Sequence, residues 1–136
     1  MNMEDDPFSE YFESDLFFCF TMLMAEIRDG FLRAMDNEPT GINGKIRIFS
    51  QLMLKIDPEL YYHLQDQNVN FQFFSLRWLM LLLSQEFSIE NVIRLWDTLL
   101  ADQERFLFLN FVCVAMVQVK RDMIINGDFT DCMEAL

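Results

Sequence analysis

The sequence predicts an all-α protein, an irregular bundle of about six helices. Apolar residues recur at helical spacing through most of the chain, in segments bounded by Ser, Asp, Pro or Gly. Strand signals are weak, because there are only four glycines and the one Asn-Gly pair, Asn43-Gly44, precedes residues at helical spacing. The length of 136 residues fits one domain or a part of one.

The first thirteen residues are acidic and are predicted to be a mobile start, which leaves residues 14–136 as the folded part. Ser14 and Asp15 are typical of a helix N-terminus, so the first helix is expected over residues 14–35. A loop over residues 36–41, with a proline and a glycine, ends it. The apolar positions of this helix are Leu16, Phe17, Phe20, Met24, Ile27, Phe31 and Met35.

A second and a third helix follow in close succession. The apolar face of the second helix contains Ile42, Ile46, Phe49, Met53 and Ile56. The third begins at Asp57-Pro58-Glu59, with Asp as N-cap, Pro in the first turn and an acid near the positive end of the helix dipole. Its buried side is expected to contain Leu60, Tyr61 and Leu64.

Two later helices, over residues 71–87 and about 104–125, are apolar nearly all round and should lie centrally. Gly127 is a plausible stop for the second of them, with a short helical turn after it. Between them Ser88 caps an amphipathic helix, whose apolar stripe is Ile89, Val92, Ile93, Trp96, Leu99 and Leu100. Two such all-round apolar helices are many for a short chain, so part of their surface is expected to be covered by something absent here.

Composition and charge exclude several classes of function. The net charge of −12 argues against nucleic-acid binding and against docking on anionic lipid. The longest apolar run, residues 106–119, spans about 21 Å as a helix, too short for the ~30 Å core of a bilayer. Three scattered cysteines indicate a reducing compartment, and the acidic start is unlike a signal or transit peptide, so a cytoplasmic protein is expected.

The sequence predicts no self-sufficient catalytic site. The single histidine, His63, shares a helix face with Glu59, but a metal site needs further His or Cys ligands, so a surface or rim histidine is favoured. Nucleophilic catalysis lacks a base that is itself oriented, and the glycines never cluster into a phosphate-binding loop. No cofactor and no metal are therefore predicted.

Arg77 is unusual because it lies in the strongly apolar segment 73–79. Its guanidinium must be paired, hydrogen-bonded or extended toward water. Glu86 is nine residues on, about 13 Å along a helix, so the two cannot meet within one straight helix. A structural ion pair with another segment is favoured over a role in partner binding. Trp78 and Trp96 lie on apolar faces and are predicted to pack in the core.

Two segments resemble the third sequence motif of TBC domains, the GTPase-activating domains that act on Rab-type small GTPases. They are residues 74–87, FSLRWLMLLLSQEF, and residues 92–97, VIRLWD. The Arg-Trp pair followed by Arg-x-Trp-Asp is the specific part of the likeness. Residues 15–20, 24–29 and 127–130 are also similar to one subgroup of the family.

The resemblance implies the C-terminal lobe of a TBC domain and a GTPase-activating protein of vesicle trafficking. These domains lend the GTPase an arginine from an Ile-x-x-Asp-x-x-Arg motif and a glutamine from a Tyr-x-Gln motif. Neither motif occurs here, and the nearest segment, residues 125–131, ends in Asp where Arg is needed. The isolated chain is therefore expected to be inactive, and no catalytic residue is carried over.

Six residues of the third motif are carried over from the resemblance: Arg77, Trp78, Glu86, Arg94, Trp96 and Asp97. Their implied role is mainly architectural, with contact to the GTPase left open for exposed members. The expected partners are a Rab-type GTPase and the missing N-terminal half of the domain, and a peripheral location on endomembranes, through the GTPase alone, is left open. The alternative is a non-catalytic helical protein-interaction module.

Overall fold

A computed structural model describes residues 9–136, and within that range the chain forms eight α-helices and two 3₁₀ turns, with no strand. The helices are α1 (Ser9–Ile27), α2 (Ile42–Ile56), α3 (Pro58–Asp66), α4 (Gln72–Met80), α5 (Ile89–Ala101), α6 (Arg105–Val119), α7 (Arg121–Ile125) and α8 (Phe129–Ala135). The 3₁₀ turns, Arg28–Phe31 and Arg33–Met35, connect α1 to α2. The all-α prediction is confirmed.

The core is built around α2, which packs against α3, α4 and α6. Phe49 and Met53 of α2 are fully buried, and the Phe49 ring meets Phe71 and Phe74 edge-on, with ring centroids 5.8 and 5.9 Å apart. The predicted apolar face of α2 is thus confirmed at its centre. Ile56 was wrongly placed on it, because the last turn of α2 leaves this side chain exposed.

The start of α3 agrees with its predicted cap. The Asp57 carboxylate accepts a hydrogen bond from the Leu60 N–H at 3.1 Å, and Pro58 occupies the first turn. Leu60 and Leu64 are fully buried. The helix ends at Asp66, and Asn68, two residues further on, adopts a left-handed φ of 59°.

The predicted limits of the first helix were wrong at both ends. The chain is already helical at Ser9, and the Ser14 hydroxyl donates to the Tyr11 carbonyl at 2.8 Å instead of capping a helix end. The helix ends at Ile27, and Gly30, a poor helix former, lies in the first 3₁₀ turn that follows. Of the acidic start, residues 9–13 belong to α1, and residues 1–8 lie outside the described range.

The two long central helices are each shorter than predicted. α4 stops at Met80, and α6 stops at Val119, where Lys120 interrupts the helical path before α7. Asp128 then caps α8 through a capping box with Asp131, which confirms the short helix predicted at the end of the chain. No helix of the described residues combines the length and apolarity needed to cross a bilayer.

Exposed apolar surface is present, but its main location was not predicted. The outer faces of α4 and α6 do expose Phe73, Phe111 and Val119, as expected for helices that lack cover. The largest exposed set, however, belongs to α1. The stripe of α5 is also only partly buried, since Val92 and Leu99 face the core and its remaining members are exposed or half-buried.

Candidate functional site

The site predicted from the third motif centres on the turn that follows α4. Leu82 and Leu83 adopt left-handed φ angles of 49° and 61°, and the Leu83 N–H donates to the Trp78 carbonyl at 3.0 Å. This bond closes the helix end in the manner of a Schellman motif. Non-glycine residues are disfavoured here by about 1–2 kcal/mol each. Both leucine side chains are buried, and this burial offsets the backbone strain.

Arg77 and Glu86 form a bidentate ion pair across this turn. Arg77 Nε donates to Glu86 Oε1 at 2.6 Å, and Nη2 donates to Oε2 at 2.9 Å. Hydrogen bonding and the carboxylate charge of Glu86 raise the pKa of Arg77 further. The pairing corrects the expectation that these residues cannot meet, which rested on one straight helix over 71–87. Because α4 ends at Met80, the chain turns back and brings Glu86 to the guanidinium.

Both tryptophans hydrogen-bond to this turn, Trp78 through its backbone carbonyl and Trp96 through its indole. Trp96 of α5 donates from Nε1 to the Leu82 carbonyl at 2.9 Å, so a buried carbonyl of the turn is satisfied by a neighbouring helix. Trp78 is buried and meets the Phe74 ring edge-on at 5.1 Å. Among the described residues its indole N–H has no hydrogen-bond partner. Core packing is confirmed for Trp78, and Trp96, which is half-buried, packs against the core.

Arg94 and Asp97 differ from the other motif residues because both are exposed on α5. Neither forms an ion pair within the part of the chain that the structure describes. Ile93 beside them is also exposed. These two charged side chains are therefore free to meet a partner, whereas Arg77, Glu86 and Trp96 are engaged within the fold.

A cleft of about 330 Å³ opens beside the turn. It lies between α4, α6 and the end of the chain, and its lining is mostly apolar, with Glu86 and Lys120 as its charged members. Glu86 is already engaged with Arg77 on one side of this cleft.

The region around His63 is structural. His63 is half-buried and donates from Nε2 to the Gly127 carbonyl at 3.2 Å, which links α3 to the loop before α8. Its predicted neighbour Glu59 pairs with Arg121 instead. Within residues 9–136 no group of three or more His, Cys, Asp or Glu side chains is placed to hold a metal ion.

Comparison with known proteins identifies the family. The sequence profile of the Rab-GTPase-TBC domain family matches residues 8–125. The chain belongs to this family. The turn after α4, its Arg77–Glu86 pair and the Trp96 bond lie within the matched residues.

Similar proteins cover the chain almost completely, but the chain covers only part of them. TBC1 domain family member 13 from Homo sapiens is 52% identical over 97% of this chain and 33% of its own length. The GTPase-activating protein GYP1 from Saccharomyces cerevisiae is 39% identical over 66% of this chain and 14% of its own length. The chain thus spans a third or less of the length of these relatives.

A solved structure agrees with the fold. The crystal structure of the Ypt/Rab-GAP domain of Gyp1p superposes with a TM-score of 0.80 and 35% sequence identity. The match covers 90% of this chain and 37% of that one. The all-α chain is therefore a partial TBC domain.

Sequence reasoning missed the turn itself and the exposure of α1. Neither Leu82 nor Leu83 is a residue that favours left-handed backbone, so no local signal marked the helix end. The apolar spacing of α1 predicted a buried face, although its side chains at residues 11–22 are exposed. Both features depend on packing between segments far apart in sequence.

Proposed function

We propose that this chain is the C-terminal lobe of a GTPase-activating protein for Rab-type small GTPases. The observation that supports this most is the family match over residues 8–125, joined to the third motif in a defined geometry around the turn after α4. GYP1 is named as a GTPase-activating protein, and the solved structure is named as a Ypt/Rab-GAP domain. The lobe would shape the domain and contact the GTPase, while the reacting groups come from outside this chain.

The sequence indicates which catalytic groups this lobe would not supply. Neither the arginine-bearing nor the glutamine-bearing motif occurs in the 136 residues. An arginine that neutralises charge on the transferring phosphoryl group raises the rate of GTP hydrolysis by ~10³–10⁵-fold. A chain without that arginine and without the water-orienting glutamine should leave the intrinsic rate unchanged.

A GTP-hydrolysis assay over a panel of Rab proteins tests the proposal. The chain alone should give no acceleration. A hybrid that joins the part of human TBC1 domain family member 13 preceding the matched segment to this chain should accelerate at least one Rab by about 10³-fold or more. Replacing the arginine of the Ile-x-x-Asp-x-x-Arg motif in the added part by Ala is the matched control. A folded hybrid that is inactive on the whole panel would contradict the proposal.

Within this lobe we propose Arg94 and Asp97 as the third-motif residues that contact the GTPase. Both are exposed on α5 without a partner in the described part of the chain, whereas the other motif residues are engaged in the fold. Arg94→Glu in the hybrid should weaken activation at least tenfold. Arg47→Glu, at an exposed position of α2, is the control and should leave activation unchanged.

A second candidate function is a helical module that binds a GTPase without activating it. The missing finger motifs favour it, together with the exposed charged surface of α5. It predicts binding by the 136 residues alone that depends on whether GDP or a GTP analogue is bound. Absence of binding to every Rab in the panel would exclude it.

A further inference from the structure

Helix α1 packs against the core through its C-terminal part. Every side chain over residues 11–22 is exposed, and packing against the core begins at Leu23. Ile27 is the first buried residue of the helix. Seven large apolar side chains of α1 are each 58–69% exposed: Tyr11, Phe12, Leu16, Phe17, Phe18, Phe20 and Met22.

These apolar side chains surround the helix. At 100° per residue, Phe12, Phe17 and Phe18 point in three well-separated directions, and the other four side chains fill two of the three gaps between them. The third gap holds Ser14 and Thr21. A helix that is apolar all round is normally buried among several other elements. The exposed area of these side chains is roughly 800 Å². Covering all of it would bury as much surface as one partner contributes to a stable interface.

A groove runs between α1 and α5. It has a volume of about 390 Å³, and Leu16, Phe20 and Leu23 of α1 face Trp96 and Leu100 of α5 across it. One end is closed where Arg105 of α6 meets Glu26 of α1, with Nη1 and Oε1 3.4 Å apart. The groove joins the third-motif helix α5 to the exposed surface of α1, so one partner can cover both.

The charge of α1 restricts what can cover it. Its charged residues are all acidic, among them Glu13, Asp15 and Glu26, and the helix contains no Lys or Arg. An anionic membrane surface would repel it, and a membrane-surface helix gathers its charges on one face, whereas Glu13 and Asp15 point in nearly opposite directions. A second copy brings the same acidic helix with a net charge of −12, and a two-fold contact covers only one side of α1.

The family match indicates a different occupant. It begins at residue 8, so α1 lies within the matched domain. The chain also represents only about a third of the length of its relatives, and most of the domain partners of α1 are therefore to be sought in the remainder.

We propose that α1 and the α1–α5 groove are the docking surface for the part of a TBC domain that precedes this segment in the family. The covering part surrounds α1 with apolar helices and places Lys or Arg side chains opposite Glu13, Asp15 and Glu26. The inference rests on the proposed function for the identity of the occupant, but it concerns assembly and does not require activation of a GTPase.

Hydrogen exchange on the chain and on the hybrid described above tests the assembly. In the chain alone, the amides of residues 12–22 should exchange rapidly and the mass in solution should be that of a monomer. In the hybrid the same amides should exchange more slowly by about 100-fold at least, because α1 is then buried. A dimer of the chain with α1 protected would overturn the proposal, and so would a folded hybrid in which α1 still exchanges rapidly.

Two matched variants locate the contact. Phe20→Asp, in the groove, should leave the unfolding of the chain alone unchanged but abolish the added protection of α1 in the hybrid. Phe73→Asp, at a side chain of α4 that is 59% exposed, lies outside the groove and should not affect that protection. If both variants reduced the protection of α1 equally, the contact would not be located in the α1–α5 groove. Protection without GTPase activation would support the assembly while contradicting the proposed function.

Discussion

Residues in left-handed backbone conformation follow the ends of two helices. Asn68 closes α3, and the Val69 N–H donates to the Leu64 carbonyl at 2.9 Å. Leu82 and Leu83, which follow α4, also have left-handed φ angles. Asparagine tolerates this conformation, whereas leucine adopts it only when its surroundings enforce it. The left-handed conformation therefore follows from the residue type after α3, but from packing against other parts of the chain after α4.

Replacing Asn68 by Gly should stabilise the chain by about 0.5–1 kcal/mol, because glycine adopts a positive φ without a steric penalty. Asn68→Ala should destabilise it by a similar amount. Urea unfolding followed by circular dichroism measures both changes. Asn126→Gly is the control: Asn126 follows α7 with a φ of −99°, so glycine there should bring no gain. A gain at both positions would contradict the explanation.

Asp57 couples the stability of the chain to pH. Burial alone would raise the pKa of its carboxyl, but hydrogen bonds from Arg121 and the Leu60 N–H, with the charge of Arg121, outweigh burial and lower it. A carboxyl whose pKa is lowered by folding stabilises the protein above its unfolded pKa, near 4, and this contribution disappears as pH falls through the lower folded value.

Asp57→Asn should therefore reduce the free energy of unfolding by about 1 kcal/mol at neutral pH and by much less at pH ~2. Asparagine still caps α3, so the difference isolates the ionic part of the interaction. Urea unfolding across this pH range measures it. Asp97→Asn, at an exposed carboxylate, should leave the curve unchanged at every pH. A loss from Asp57→Asn that is constant with pH would exclude the ionic explanation.

At the scale of elements, α1 contributes little to the stability of the isolated chain. Its residues 11–22 are exposed, and isolated helices of this length are marginal in water. The core is formed by residues that follow it in sequence, apart from Leu23 and Ile27.

A chain that begins at Leu23 should retain its unfolding free energy within about 1 kcal/mol, because no buried side chain is removed. It should also bind less of a fluorescent dye that detects exposed apolar surface. Removing residues through Ile27 as well is the contrasting deletion, which takes away a buried side chain and should destabilise the chain measurably. If the chain that begins at Leu23 failed to fold, α1 would have to be part of the core.

The turn after α4 is the second element whose stability can be measured. The Arg77 side chain is 56% exposed and that of Glu86 only 13%, so solvent screens one partner of the pair. A double-mutant cycle with Arg77→Gln and Glu86→Gln should give a coupling of about 0.5–1 kcal/mol. Arg28 and Asp29, 3.8 Å apart with Arg28 largely exposed, are the matched control and should give nearly zero. Equal coupling in both pairs would contradict a stabilising role of the Arg77–Glu86 ion pair.

The three thiols report on the packing of the whole molecule. Cys19 is exposed on α1, whereas Cys113 and Cys132 are buried. Burial raises the pKa of Cys113 to about 12, and burial with the charges of Asp131 and Asp128 raises that of Cys132. Thiolates are the reactive species, so both buried thiols should be inert near neutral pH.

A thiol-reactive chromophore should therefore modify one cysteine rapidly in the native chain and all three in urea. Cys19→Ser should remove the rapid phase. Cys113→Ser is the control, because it should leave that phase intact. Rapid reaction of two thiols in the native chain would show that the core is open. In the hybrid, the rapid phase of Cys19 should also slow, since Cys19 lines the proposed docking groove.

The sequence by itself determined the fold class, most helices and the family resemblance. Helical spacing, the Asp57 cap and the third motif are local properties, encoded within a few turns of chain. Only tertiary structure decided where α4 ends, how Arg77 reaches Glu86 and which helix is left uncovered. Leu82 and Leu83 carry no intrinsic preference for their conformation, which Trp96, far along the chain, helps to hold. Apolar spacing likewise shows that a helix must be covered, but not whether this chain supplies the cover.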